Sequence, residues 1–102
     1  MLDKAIYLHH FKKIERKLNQ FDIQIAHFIP GRIRLKSTRW MNNEALLEFL
    51  KKEIMTEPII HSVNYNSISG SMIIEFRADE NITLSTINSW VDNIIGAINY
   101  KN

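Results

Sequence analysis

Apolar residues recur at three- and four-residue spacing along residues 2–21: Ile6, Tyr7, His10, Phe11, Ile14, Leu18 and Phe21. That spacing is one stripe of an α-helix. Lys4, Lys12, Lys13, Glu15, Arg16 and Asn19 fall on the other side, so the segment reads as an amphipathic helix. Its stripe is expected to pack on the body of the protein. The alternative is a docking helix for a membrane surface or a partner's groove. At Asp22 the period changes to two. Ile23, Ile25, His27, Ile29, Gly31, Ile33 and Leu35 alternate with Gln24, Ala26, Phe28, Pro30, Arg32, Arg34 and Lys36. This predicts a long strand over 22–36 with one apolar face. Pro30 cannot donate to a sheet ladder, so Pro30-Gly31 marks a bulge, a kink or an edge, and the strand divides there into shorter segments.

Residues 37–41 read as a loop. Asn42 or Asn43 can cap a helix whose buried stripe is Leu46, Leu47, Leu50 and Ile54, stopped by Pro58. Residues 59–65 and 71–77 read as strands joined by the turn cluster 66–70, an antiparallel hairpin with Met72, Ile74 and Phe76 on one face. A loop over 79–81 precedes a last helix over 83–98, striped by Leu84, Ile87, Val91, Ile94 and Ile98 and widened by Trp90 and Ile95. The element order is α-β-α-β-β-α, an α+β domain of residues 22–102 preceded by a helix over 1–21.

The 102 residues suit one domain, and 45% hydrophobic content suits a packed core. The absence of cysteine excludes disulfides, thiolate metal sites and thiol nucleophiles. It suits a cytoplasmic protein. No apolar run reaches the roughly 18 residues of a membrane span. The formal net charge of +2 is mild for a nucleic-acid binder.

The β-α-β-β-α core is the ferredoxin-like plan without its last strand. Within it, the run His27-Phe28-Ile29-Pro30-Gly31-Arg32-Ile33-Arg34-Leu35 resembles the His-x-x-Pro-Gly-Arg-x-Arg signature of a second, cysteine-free group of heavy-metal-associated domains. Asn66-Ser67-Ile68-Ser69-Gly70-Ser71 resembles that group's Asn-Pro-x-Thr-Gly-Ser hairpin, with Ser67 and Ser69 replacing its Pro and Thr. The resemblance covers about residues 25–98 and implies a ferredoxin-like fold related to domains that deliver soft metals to transport ATPases. It also implies an association with metal transport, as a fused or separate companion of cation-transporting ATPases. The metal-carrying branch places Cys-x-x-Cys between the first strand and first helix. Here that loop is Ser37-Thr38-Arg39-Trp40-Met41, where Met41 alone cannot hold a metal.

Candidate contact residues for a ligand or partner are therefore His27, Pro30, Gly31, Arg32 and Arg34, with Asn66 and Gly70 shaping the hairpin turn. His27 falls on the apolar side of the alternation, where a core histidine bonded to backbone is the simplest reading and a ligand or haem-type contact the sharper one. His9 and His10 are adjacent, so their side chains diverge by about 100° on a helix and do not pair on a metal. Arg32, Arg34 and Lys36 form a basic stripe suited to solvent or to an anionic partner. Nucleic acid is not expected, because Ile33, Ile73 and Ile74 stand where base-stacking aromatics would be needed. Acylphosphatases share the plan, and Arg32 with Asn64 could take their catalytic roles. The Gly-rich anion loop of such an enzyme is missing.

The expected function is a non-enzymatic binding module associated with metal transport, an accessory or regulatory partner of a membrane cation-transporting ATPase, with no metal or cofactor of its own. The alternative is a self-associating adaptor that reaches a partner or membrane surface through its first helix. The edge along residues 24–36 is expected to be unpaired, and a homodimer through it is expected, unless the first helix covers it.

Overall fold

The computed structural model describes the backbone of residues 4–77 and 84–101 and the side chains of residues 11–77 and 87–98. Within these bounds the order is α1 (Lys4–Asn19), β1 (Ile23–Ile29), β2 (Arg32–Ser37), a 3-10 turn (Thr38–Trp40), α2 (Glu44–Ile54), β3 (Ile60–Asn66), β4 (Ser71–Phe76) and α3 (Leu84–Lys101). The fold is α+β and ferredoxin-like: one four-stranded antiparallel sheet with three helices. The loop expected at 79–81, Thr83 at the start of the last helix, and the side chains of His9 and His10 lie outside the described residues.

The expected single strand over 22–36 is a β-hairpin. Pro30 fixes φ near −65° and has no N–H, while Gly31 supplies φ 88°, the two conformations that a type II turn requires. Ile29 and Arg32 consequently face each other across a two-residue connection. Such a connection forces partners whose numbers sum to an odd value, as in Ile29–Arg32, Phe28–Ile33 and His27–Arg34. Nearer the helix the partners are Ile25–Leu35 and Ile23–Ser37, with even sums. Partners share a sheet face, so one extra residue must be accommodated between the two registers. It is accommodated as a β-bulge between Ile25 and His27. The bulge moves Phe28 inward and His27 outward. The alternation seemed unbroken in the sequence because bulge and turn each shift the phase once, and the two shifts cancel.

The strand order β1-β2-β4-β3 puts β2 and β4 at the centre. In a ferredoxin-like sheet the last strand covers the free edge of the first. Here β1, which comes before the core in the chain, occupies that place. Within the stretch 24–36 expected to form an unpaired edge, the β2 edge is closed by the chain's own hairpin rather than by α1. The edges that remain are those of β1, bulged and ended by Pro30, and β3, bulged between Ile60 and Ser62. Such irregularities blunt strand-to-strand pairing.

One sheet face is mainly apolar: Ile23 on β1, Ile33 and Leu35 on β2, Met72, Ile74 and Phe76 on β4, Ile60 and Val63 on β3 are all buried, with Ser37 a buried polar member at the end of β2. The helices cover this face. α1 buries Ile14 and Leu18, α2 buries Leu47, Leu50 and Ile54, and α3 buries Ile87, Trp90, Val91, Ile94 and Ile98. Phe11 of α1 meets Phe28 of β1 edge to face, ring centroids 5.6 Å apart. Phe76 lies beside Trp90, at 6.1 Å. Lys17 ties α1 to α3 through Asn88 (2.9 Å) and Asp92 (3.0 Å). The stripe of α1 is thus used inside the fold.

The segment expected as a plain loop, 37–41, contains the 3-10 turn and sends Trp40 into the core. Of the two candidate caps, Asn43 is the one used: its side chain accepts from the Leu46 N–H at 3.3 Å. Asn42 instead takes φ 56°. In the β3–β4 turn, Asn66 Oδ1 accepts from the N–H groups of Ile68 (2.9 Å) and Ser69 (3.2 Å). Gly70 has φ 66°, as a turn glycine should, and its carbonyl accepts from Ser37 N–H at 2.9 Å.

Candidate interaction surface

Three helices occupy one face of the sheet, and the other face is largely solvent-exposed, with Ser71 at one end of it buried. Its composition follows from the register. Across the middle lie His27, Arg34, Ile73 and Asn64; toward the Pro30 tip lie Ile29, Arg32, Glu75 and Ser62; toward the opposite end lie Gln24, Lys36, Ser71 and Asn66. Arg32, Arg34 and Lys36 run down the central strand β2 at two-residue steps, which in an extended chain are about 6.7 Å apart. All three are exposed, alternating along β2 with buried Ile33, Leu35 and Ser37. Among the described residues, none of the three forms an ion pair. Glu75 opposite Arg32 accepts from the Ser62 hydroxyl at 3.2 Å.

The structure therefore brings three of the expected site residues together: His27, Arg32 and Arg34. The expectation that His27 lies on the apolar side is corrected, since the bulge turns it out to the exposed face, opposite Arg34. Pro30 and Gly31 stand at the tip beside Arg32. Asn66 and Gly70 belong to the far end of β2, where Gly70 bonds Ser37, so they do not share a site with His27. Ile33 and Ile74 point to the helices, and only Ile73 of the three isoleucines faces outward. No aromatic residue stands on the described open face. Glu75 was not singled out from the sequence, and Ile73 and Asn64 entered there only in weighing nucleic-acid binding and acylphosphatase chemistry, not as members of a contact surface. The signal for them was the alternation in β3 and β4, which becomes a surface only when the strand order is known.

The resemblance sets the metal-carrying loop of a carrier of this plan at residues 37–41, where the chain passes from β2 to α2. Met41 is exposed there (47%), and Ile68 on the adjoining turn is more so (79%). The donors do not fit a metal: Ser37, Thr38, Arg39, Trp40 and Met41 offer one thioether, and no thiolate or imidazole. Among the described residues, no three His, Asp or Glu side chains gather closely enough to hold an ion. His27 and His61 lie on β1 and β3, at opposite edges of the sheet.

One tyrosine is tuned by its surroundings. Tyr65 on β3 donates to Glu48 Oε2 of α2 at 2.8 Å. That hydrogen bond, then partial desolvation, then the negative charges of Glu48 and Glu44 hold its phenol above the usual value of 10.0. The contact fastens α2 to the sheet.

No helix among the described residues is long and apolar enough to cross a membrane. No curated protein and no solved structure is significantly similar to this chain. The sequence does match the family described as Heavy metal associated domain 2 over residues 8–101, a span that takes in most of α1 as well as the sheet and the other two helices. The chain belongs to the heavy-metal-associated domain 2 family.

Proposed function

We propose that this protein is a non-enzymatic binding module of metal transport, acting in the cytoplasm as an accessory or regulatory partner of a membrane cation-transporting ATPase. The observation that carries the reading is a contrast. The family match spans nearly the whole chain, yet the loop that would hold a metal in a carrier of this plan has no thiolate or imidazole. A domain of this lineage without the donors acts on the transport machinery by contact rather than by handing over a metal. The absence of a cysteine nucleophile and of a Gly-rich phosphate-cradling loop in the sequence supports a role without catalysis. Chemical crosslinking in the native cell, followed by mass spectrometry, tests the proposal together with the metal tolerance of a strain lacking the gene. The expected result is a crosslink to a cation-transporting ATPase and altered tolerance to a transition metal. Unchanged tolerance to every transition metal, with no transporter among the crosslinked proteins, would overturn it.

A further inference from the structure

The open sheet face carries features that general solubility does not demand. Three cations stand in a row on the central strand at a regular spacing of about 6.7 Å. Among the described residues they are not neutralised by one another's neighbours. A β-bulge, which costs ladder regularity, turns His27 out beside Arg34. Beside that pair sits half-buried Ile73, a small apolar spot between Arg34 and Asn64. Exposed Asn64 and Gln24 flank the row with amide side chains able to hydrogen-bond peptide groups.

We propose that this face, centred on Arg34 with Arg32, Lys36 and His27, is the docking surface for an acidic protein segment in extended conformation. Its carboxylates would stand at alternate positions. The argument is one of complementary charge and matching period. An extended segment repeats its side chains at the same two-residue step as β2, so Asp or Glu at alternate positions meets Arg32, Arg34 and Lys36 in register. The guanidinium groups suit bidentate capture of carboxylates. A nucleic acid fits less well, for the face has no aromatic platform. A lipid surface fits less well too: among the described residues the face offers only Ile29 and half-buried Ile73 as apolar groups to insert, set among cations and hydrogen-bonding side chains.

The inference rests on the reading of the protein as a binding module, and names the face and chemistry by which it binds. It can be tested on the full chain by fluorescence anisotropy at low ionic strength. The probe is a labelled twelve-residue peptide alternating Glu with Thr. Comparison peptides replace Glu by Gln, or gather the same number of Glu in one block. Phosphatidylglycerol vesicles and a twelve-nucleotide oligothymidylate serve as competing ligands. The alternating peptide is expected to bind at least about tenfold tighter than the Gln peptide and measurably tighter than the block. Arg32→Thr with Arg34→Thr should weaken it by roughly tenfold or more. Lys12→Gln with Lys13→Gln, on exposed positions of α1, removes the same charge and should change binding less than twofold. Arg34→Gln alone serves as a milder variant, and circular dichroism establishes that each variant is folded.

Equal loss in the two double variants, equal affinity for the block peptide, or tighter binding of vesicles or oligonucleotide would overturn the proposal. A transporter crosslinked through other faces, with no peptide binding here, would sink this inference and leave the functional reading standing. Peptide binding without any transport link would do the reverse.

Discussion

Gly70 shows how one residue joins two loops. Its φ of 66° is open to glycine at little cost, and a Cβ built there would lie 2.4 Å from the Ser37 carbonyl oxygen and 2.8 Å from Met41 Cγ. The methionine side chain can swing away; the carbonyl cannot, because it belongs to the backbone at the end of β2. Gly70→Val should therefore destabilise the protein by about 3 kcal/mol, combining left-handed strain with displacement of a strand end. Chemical denaturation of the variant measures this; an unchanged midpoint would mean that the turn has another geometry. Tyr65 offers a second test at this scale. Its folded pKa is raised, so folding favours the neutral phenol. The sign follows: this contribution to stability is complete below the unfolded value near 10.0 and is lost as pH rises through the higher folded value. Melting temperatures of wild type and Tyr65→Phe, compared from pH 8 to alkaline pH, should converge as Tyr65 ionises. A constant gap would refute the assignment. The glycine was legible in the sequence as a turn residue. The tyrosine was not, because Glu48 lies seventeen positions away and only the packing of α2 on β3 brings them together.

The N-terminal helix and first strand are best understood as elements of the core. α1 contributes Leu18, which is wholly buried, and Ile14, and it lies on β1 and α3. Leu18→Ala should cost about 2–5 kcal/mol through the lost transfer energy and the cavity left behind. Deletion of residues 1–20 should do more than lower the melting point. It would uncover Ile23 and Phe28 on the helix-facing side of β1, leaving that strand bound by its ladder to β2 alone. The truncated chain is expected to melt lower and to scatter more light than the full chain at equal concentration. A remainder that melts like the full chain and stays monodisperse would show that α1 is a detachable appendage. The amphipathic stripe identified α1 from spacing alone. Its use was not readable, since a stripe that packs on its own domain and one that docks on a partner have the same period.

At the scale of the whole molecule, the two faces of the sheet divide the labour. One builds the core and the other presents charge. The full chain is expected to bind copper(I) or zinc no tighter than about micromolar, because no thiolate exists and the loop at residues 37–43 offers a single thioether. Competition with a chromogenic chelator checks this; a stoichiometric nanomolar site surviving dialysis would contradict it. Closure of the β2 edge by β1 also bears on assembly. The edges of β1 and β3 are each interrupted by a bulge. Light scattering across a concentration series is expected to find far less strand-driven association in the full chain than in a chain lacking residues 1–29, whose β2 edge is bare.

The sequence by itself determined the elements with long, regular periods: the three helical stripes, the β3–β4 hairpin and its glycine, an asparagine cap at 42 or 43, and the absence of thiolate chemistry. These are local consequences of side-chain spacing, backbone sterics and composition, and they need no knowledge of partners. The tertiary structure alone decided three things. It divided residues 22–36 into two strands, because a two-residue turn and a one-residue bulge each invert the alternation and together hide from it. It seated β1 in the place of the missing last strand, because an unpaired central edge is satisfied by whichever strand the chain can fold back onto it. And it turned His27 out to join Arg34, since the face a side chain takes is set by register, and register is a property of two strands rather than one.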